Sequence, residues 1–488
     1  MAIGPKQALL LSILVMLVVV GAIIGIVLSV KDDDSSTKTT ASDGRKAEVH
    51  GPTRNSGQAL LLETQGSGSV AEEMEIPETD PMSEVYSVSA LAIGDWGRTV
   101  AKEGGSCCQR RKSYTVLDYN AMEYTASLMG VAAASMDPRP SVIIGHGDNF
   151  YWTGLQSAND QAYRFLETFE TKYADASLHG IPWINVMGNH DYGGASFVCS
   201  DGDVPAMCTS TEELLQHLEQ KFRLQADYVS PNENRWLMKE RFFVHTLKDT
   251  TGQVGDVEIY NTDTNDADSH GASQICCQCY GYSGGDDDQC ESVTRGHQYC
   301  AGGDTGMYDA CMRQLKSWAL ESREQFVAAA KASNATWKIV NTHYSPYNHY
   351  GPTGATAWHD TLEGLGINLF FYGHTHGEKH DYSKPLKTHF IENGAGGGIQ
   401  NESPSGIPPY AEDYIENVWA AGHYPYGLFS VRLSPNWAQV QFLTFDDKWV
   451  MQKELSASVV GGVAVKHCWF IPRHGGRGRS CRTDANDA

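Results

Sequence analysis

The chain has 488 residues, enough for about three domains by length alone, with 41% apolar and 20% charged residues. Its formal net charge is −22, with 37 Lys and Arg against 59 Asp and Glu and no basic block, which excludes tracking of a phosphate backbone and hence nucleic-acid binding. The 12 cysteines are even in number and point to disulfides formed in an oxidising compartment.

Residues 1–7 precede a run from Ala8 to Val30 without a charged side chain. About 20 such residues span a bilayer, and the run exceeds the roughly 7–15 of a signal-peptide core. We read 8–30 as a transmembrane signal anchor and 1–7 as a short cytosolic N-terminus. The cysteine-rich remainder then lies outside the cytosol, on the cell surface or in the lumen of an acidic or secretory compartment. Residues 31–84 are rich in Ser, Thr, Gly, Asp and Glu with little apolar periodicity, which reads as a flexible stalk.

From residue 85 strands and helices alternate. Strands are expected at 85–93, 141–144, 182–186, 240–247, 257–261, 336–341 and 367–372. A hairpin of 428–433 and 438–445 turns around Ser434-Pro435-Asn436, and a last strand is expected at 448–454. Helices are expected at 116–135, from an Asp160 cap to about residue 173, from a Thr211 cap to about residue 222, at 309–332 and at 356–365. This makes 85–455 the globular domain and 456–488 a loosely ordered tail. Residues 264–312 interrupt the pattern with Gly, Asp and six cysteines. They read as a disulfide-stapled insertion that carries no catalysis and offers a surface to a protein partner. Cys199 with Cys208 and Cys468 with Cys481 are the cheapest local pairings; the other connectivity stays open. Asn334 and Asn401 each begin an Asn-x-Ser/Thr sequon and are candidate glycosylation sites.

Five apolar strands end in residues that bind metals. They run into Gly94-Asp95-Trp96-Gly97, His146-Gly147-Asp148-Asn149-Phe150-Tyr151, Gly188-Asn189-His190-Asp191, Asn341-Thr342-His343 and Gly373-His374-Thr375-His376. The C-terminal ends of strands are where α/β folds place their sites. Asp95, Asp148, Tyr151, Asn189, His343, His374 and His376 are all oxygen or nitrogen donors, so thiolate-seeking metals are not favoured. Seven donors are too many for one small cation with open positions. They suit two metals, about 3.5–4 Å apart and sharing a carboxylate, that clamp phosphoryl oxygens and activate a water.

In this order the five motifs resemble those of the purple acid phosphatases, of the small tartrate-resistant type, within the calcineurin-like metallophosphoesterases. The resemblance runs from about 87 to 450, broken by the insertion. It implies an α/β (α+β) fold, a two-sheet β-sandwich flanked by helices, with a dimetal site at the strand C-termini. It implies hydrolysis of phosphate monoesters at acidic pH by a metal-bound hydroxide, on phosphorylated small molecules or phosphoproteins. Asp95, Tyr151 and His376 would bind Fe(III), Asp148 would bridge, and Asn189, His343 and His374 would bind a divalent Fe, Zn or Mn. Many relatives carry a His where Trp96 stands, and Tyr151 would replace that ligand as a hard phenolate. His190 is the candidate general acid. His349, in Asn348-His349-Tyr350-Gly351-Pro352, resembles a substrate-facing His-Gly-Pro interrupted by Tyr350. Asp191 reads as orienting a neighbouring His. Two other functions fit the same residues: a phosphodiesterase or nucleotide hydrolase on this core, and a non-catalytic, membrane-tethered binding ectodomain.

Overall fold

A computed structural model of the chain describes residues 79–484, apart from 99–117, 119, 250, 286, 291, 424 and 447–461. The anchor at 8–30, the stalk up to residue 78, Cys107, Cys108 and the strand expected at 448–454 lie outside the described residues. Among the described residues no helix is long and apolar enough to cross a membrane.

Val88–Ile93 is buried along its whole length because both of its faces are covered. Its side chains alternate between two cores, as a strand's period of two requires. Leu91 and Ile93 join Leu128, Met129 and Ala132 of the helix Ala121–Ser135. Val88, Ala90 and Ala92 instead meet Ile339, Leu369, Phe371 and Ile391 of a second sheet. That second contact is the seam of a β-sandwich.

The first sheet has eight strands in the spatial order Arg479–Ser480, Val463–Pro472, Trp437–Phe445, Leu428–Leu433, Val88–Ile93, Val142–Gly145, Trp183–Ile184, Trp236–Leu237. The second has seven, in the order Glu416–Ala420, Glu378–Ser383, Thr388–Asn393, Leu369–Tyr372, Trp337–Asn341, Asp256–Thr262, Phe242–Lys248. In the first sheet Val88–Ile93, Val142–Gly145 and Trp183–Ile184 are parallel. In the second Asp256–Thr262, Trp337–Asn341 and Leu369–Tyr372 are parallel. The long helix Thr305–Ala332 and the helix Pro352–Leu362 cover the outer face of the second sheet through Phe326, Ala330, Trp358 and Leu362.

Several boundaries differ from the expected ones for local chemical reasons. The helix Ala158–Arg164 is capped by Ser157, whose hydroxyl accepts from the Asn159 and Asp160 amides. Asp160 in the first turn accepts from the Gln156 amide, one residue before the cap, at 2.9 Å. Ser210, not Thr211, caps Thr211–Ala226 through the Glu213 amide. Asp304 starts the long helix four residues early by accepting from the Met307 amide. Pro352 begins its helix in the first turn, where no N–H is needed.

The tail is not loose. Val463–Pro472 pairs along Trp437–Phe445, and Cys468 bonds Cys481. The stalk also ends sooner than expected. The Trp437 indole donates to the Thr79 carbonyl at 2.9 Å, and Arg479 pairs with Asp80 at 3.0 Å. Cys199 bonds Cys208, and the insertion closes on itself through Cys276–Cys311, Cys277–Cys300 and Cys279–Cys290.

Candidate metal centre

Each of the five strands turns sharply at its C-terminal end, and the turns converge. Asp95, Asp148 and His374 hold φ of 54°, 52° and 70°, left-handed values that non-glycine residues adopt at a cost and that cluster at functional sites. Gly188 and Gly373 let backbone come against the carboxylates: a Cβ at either would land on Asp148 Oδ1 or Asp95 Oδ2.

The donors fall into two groups of three. In the first, Asp95 Oδ1 lies 3.1 Å from the Tyr151 hydroxyl and 3.7 Å from His376 Nε2, and the hydroxyl is 3.5 Å from that nitrogen. In the second, Asn189 Oδ1 lies 3.0 Å from His343 Nε2 and 3.1 Å from His374 Nδ1, with the two nitrogens 3.3 Å apart. Asp148 acts on both groups: its Oδ1 lies 3.6 Å from His343 Nε2, and its charge raises the Tyr151 phenol.

The electrostatics call for cations. Burial, then the charge of Asp148, pushes the Asp95 carboxyl well above its ordinary value. Burial, then Asp148 and Asp95, pushes the Tyr151 phenol up in the same way. Among the described residues no Lys or Arg pairs with either carboxylate; their ion-pair partners are His343 and His376. Asp148 Oδ2 is buried with no protein partner. Burial also pushes His343 and His374 down, towards the neutral imidazole that ligates. His343 Nδ1 donates to the His146 carbonyl at 2.7 Å, so Nε2 presents its lone pair to the centre. The donor set therefore fits a metal pair: hard oxygens and imidazoles, with a deficit of positive charge.

Trp96, by contrast, is fully buried and packs against Trp183 and Tyr173 at 5.2 and 5.5 Å, away from the donors. Asp191 does not orient a His. Its carboxylate accepts from the amides of Asn149, Phe150 and Gly188 at 3.0, 3.0 and 2.8 Å, fixing the loops that carry Asp148 and Asn189.

His190 and His349 line one cavity of about 670 Å³ with Asp148, Asn189, His374 and His376. His190 Nδ1 donates to the Trp152 carbonyl at 2.7 Å, which leaves Nε2 for the cleft. His349 Nδ1 accepts from the Ser345 amide at 2.9 Å, and its Nε2 lies 3.1 Å from the Thr375 hydroxyl. Tyr350 does not disturb His349, because its hydroxyl turns away to Asp266 at 2.6 Å.

The sequence reading left out one wall of this cavity. Ser269, His270, Gln274 and Tyr280, all in the insertion, line it. The available signal was topological: Asp256–Thr262 is parallel to Trp337–Asn341, so its C-terminal loop leaves at the same edge. Asn401 is 5% exposed, too buried to carry a glycan, whereas Asn334 is exposed.

Residues 89–378 match the calcineurin-like phosphoesterase family, and the chain belongs to that family. Among named relatives, tartrate-resistant acid phosphatase type 5 of Rattus norvegicus is 35% identical over 102 residues, 21% of this chain and 26% of that protein. The chain thus spans about a quarter of that relative's length. Purple acid phosphatase 17 of Arabidopsis thaliana is 25% identical over 401 residues, 78% of this chain and 89% of the relative. Among solved structures, that of GAP50, the anchor in the inner membrane complex of Plasmodium, is 13% identical with a TM-score of 0.44, covering 82% of this chain and 91% of that one.

Proposed function

We propose that the chain is an acid phosphatase, a metal-dependent hydrolase of phosphate monoesters that works at acidic pH. The observation that carries this reading is the division of six donors into two triads around Asp148. Asp95, Tyr151 and His376 would hold Fe(III). Asn189, His343 and His374 would hold a divalent Fe, Zn or Mn, and Asp148 would serve both. When bound, such a pair neutralises phosphoryl oxygens and lowers the pKa of a water that attacks phosphorus.

The protein's own groups supply the rest. The Trp152 carbonyl fixes the His190 tautomer, so that Nε2 is the atom able to hand a proton to the leaving alcohol. His349, fixed by the Ser345 amide at Nδ1, donates its Nε2–H to the Thr375 hydroxyl and so positions Thr375 at the wall of the cleft. Asp191 and the amides it gathers keep Asp148 and Asn189 in register.

We infer a setting outside the cytosol, with residues 8–30 as the membrane anchor; the five disulfides among the described residues support it. Protease protection of intact vesicles tests the topology, and a catalytic domain cleaved from the cytosolic side would sink it.

The enzymatic reading is tested by metal analysis, a visible spectrum, and turnover of p-nitrophenyl phosphate against its bis-ester. A coloured protein with two metals that prefers the monoester is expected. A colourless, fully active protein would remove the iron–tyrosinate assignment, and preference for the bis-ester would favour a phosphodiesterase.

A further inference from the structure

We propose that the disulfide-stapled insertion is a wall of the substrate site, and that His270 on it is a substrate-contacting residue that binds a phosphoryl oxygen beside His374. The proposal rests on the phosphatase reading above and deepens it. The insertion leaves the end of Asp256–Thr262, at the edge of the sandwich where the metal donors gather. Its first residues are bound tightly to the loop that carries His349. The Ser269 amide donates to the His349 carbonyl at 2.9 Å, and the Gly351 amide donates to Asp268 Oδ2 at 2.9 Å. The Tyr350 hydroxyl donates to Asp266 Oδ1 at 2.6 Å and lies 3.1 Å from the Thr264 carbonyl, and the Tyr344 hydroxyl donates to the His270 carbonyl at 3.0 Å.

These bonds flank His270, whose backbone takes the left-handed φ of 56°. The His270 ring stands edge-on to His374, with centroids 5.5 Å apart, and it lines the cavity while remaining exposed to the cleft. It lies outside both donor triads.

The far side of the insertion is fixed as well. The Tyr280 amide donates to the Ala195 carbonyl at 2.9 Å, and the Val198 amide donates to Gln278 Oε1 at 3.0 Å. The insertion therefore ties the loop after His190 to the loop that carries His349. Cys276–Cys311 anchors it to the long helix, and the two other disulfides close it internally. Gln274 and Tyr280 line the cavity from this same body. A phosphate ester seated on the metal pair thus meets His190, His349 and His270 around its oxygens, and Gln274 and Tyr280 beyond them.

The test uses the full chain loaded with metal and inorganic phosphate as the probe, read by calorimetry and by the shift of the visible band. His270→Ala should keep the metal content and the unfolding midpoint. It should weaken phosphate binding about tenfold, the loss of one hydrogen bond to a charged oxygen. KM for p-nitrophenyl phosphate should rise by a similar factor, with kcat changed less than about threefold. His270→Gln, which keeps a donor, should recover part of the affinity. Unchanged phosphate affinity in His270→Ala overturns the proposal. Loss of metal from both variants also overturns it, since His270 would then support the centre instead of the substrate. If the wild type binds phosphate but hydrolyses no monoester, the phosphatase reading falls, while the affinity of the variants still decides His270.

Discussion

Lys221 donates from Nζ to the carbonyl oxygen of Thr153 at 2.6 Å, two residues beyond Tyr151. The same ammonium reaches the Leu155 carbonyl at 3.2 Å and Gln156 Oε1 at 3.1 Å, so its three donors are all used. Arg164 Nη2 donates to the Tyr151 carbonyl at 2.6 Å. At the other end of the loop, Asp191 gathers the Asn149 and Phe150 amides. The segment carrying Asp148 and Tyr151 is thus held by an anion on its amides and by two cations on its carbonyls.

Replacing Lys221 by Met keeps the apolar stem and removes the donors, leaving buried carbonyls unpaired. Stability should fall by roughly 2–4 kcal/mol. The Tyr151 phenolate should lose definition, so the visible band should weaken. Chemical denaturation and absorption spectroscopy measure both. An unchanged midpoint and band would mean that Arg164 and Asp191 suffice to hold the loop.

Asp148→Asn should cost both metals. Asp148 lies 3.6 Å from His343 and its charge acts on Tyr151, and an amide would not replace a carboxylate that served two metals. His349→Ala should leave both metals in place and lower turnover, because His349 lines the cavity and holds the Thr375 hydroxyl there without joining either triad. Metal analysis of the two variants decides. Full metal occupancy in Asp148→Asn would defeat the two-metal assignment.

His190 must be protonated to act as an acid, and burial, opposed by Asp148, holds its pKa below the ordinary value. Activity should therefore fall as pH rises towards and past about 6.5. His190→Ala should lower turnover of alkyl phosphates by about 10²–10⁴-fold and of aryl phosphates far less, since aryl leaving groups need less protonation. Equal losses on both substrates would remove His190 from the acid role.

How far the sequence could be read depended on where the chemistry was local. The strand-end donors follow their apolar runs directly, so each motif was visible without the fold. Glu378–Ser383 and Thr388–Asn393 were not, because they bury polar side chains in place of an apolar alternation. Lys379 pairs with Asp381 at 2.7 Å, and His380 meets His389 at 2.7 Å. Val463–Pro472 does carry apolar residues, but the Gly- and Arg-rich run after it made the whole stretch read as a tail. His270 was out of reach for another reason. Its strand runs into Asp263, Asn265, Asp266 and Asp268, donors that serve hydrogen bonds within the protein, and its place in the cleft depends on hydrogen bonds to Tyr344, His349 and Tyr350 that lie more than seventy residues further along the chain.

The last prediction concerns acid stability. His389 Nε2 lies 2.9 Å from the Gly476 carbonyl, which only accepts, so that nitrogen carries the proton. His389 Nδ1 then accepts from His380 Nε2–H at 2.7 Å, and His380 Nδ1 accepts from His467 Nε2–H at 2.9 Å. One carbonyl fixes three neutral tautomers and joins the two sheets. The Gly476 carbonyl favours added charge on His389, but burial outweighs it. Trp419 stacks on His467 at 4.5 Å and Tyr382 lies against His389 at 4.7 Å. The nearby cation, Arg477, disfavours protonation of His389 although Glu416 pairs with it at 2.6 Å. Burial pushes His389 down to about 4 and His467 down to about 3, and holds His380 well below its ordinary value. The unfolded chain titrates near 6.5, so between about pH 6.5 and 4 it binds more protons than the folded one, and stability rises with pH. The contribution is complete above about 6.5 and is lost as pH falls towards 4 and then 3, costing about 2 kcal/mol for His389 alone at pH 5. His389→Gln can accept from His380 and donate to Gly476 while removing one titrating group. Its unfolding free energy should depend on pH less steeply than that of the wild type, by up to about 1.4 kcal/mol per pH unit across this window. Equal slopes in the two proteins would show that the histidine chain does not set the acid limit.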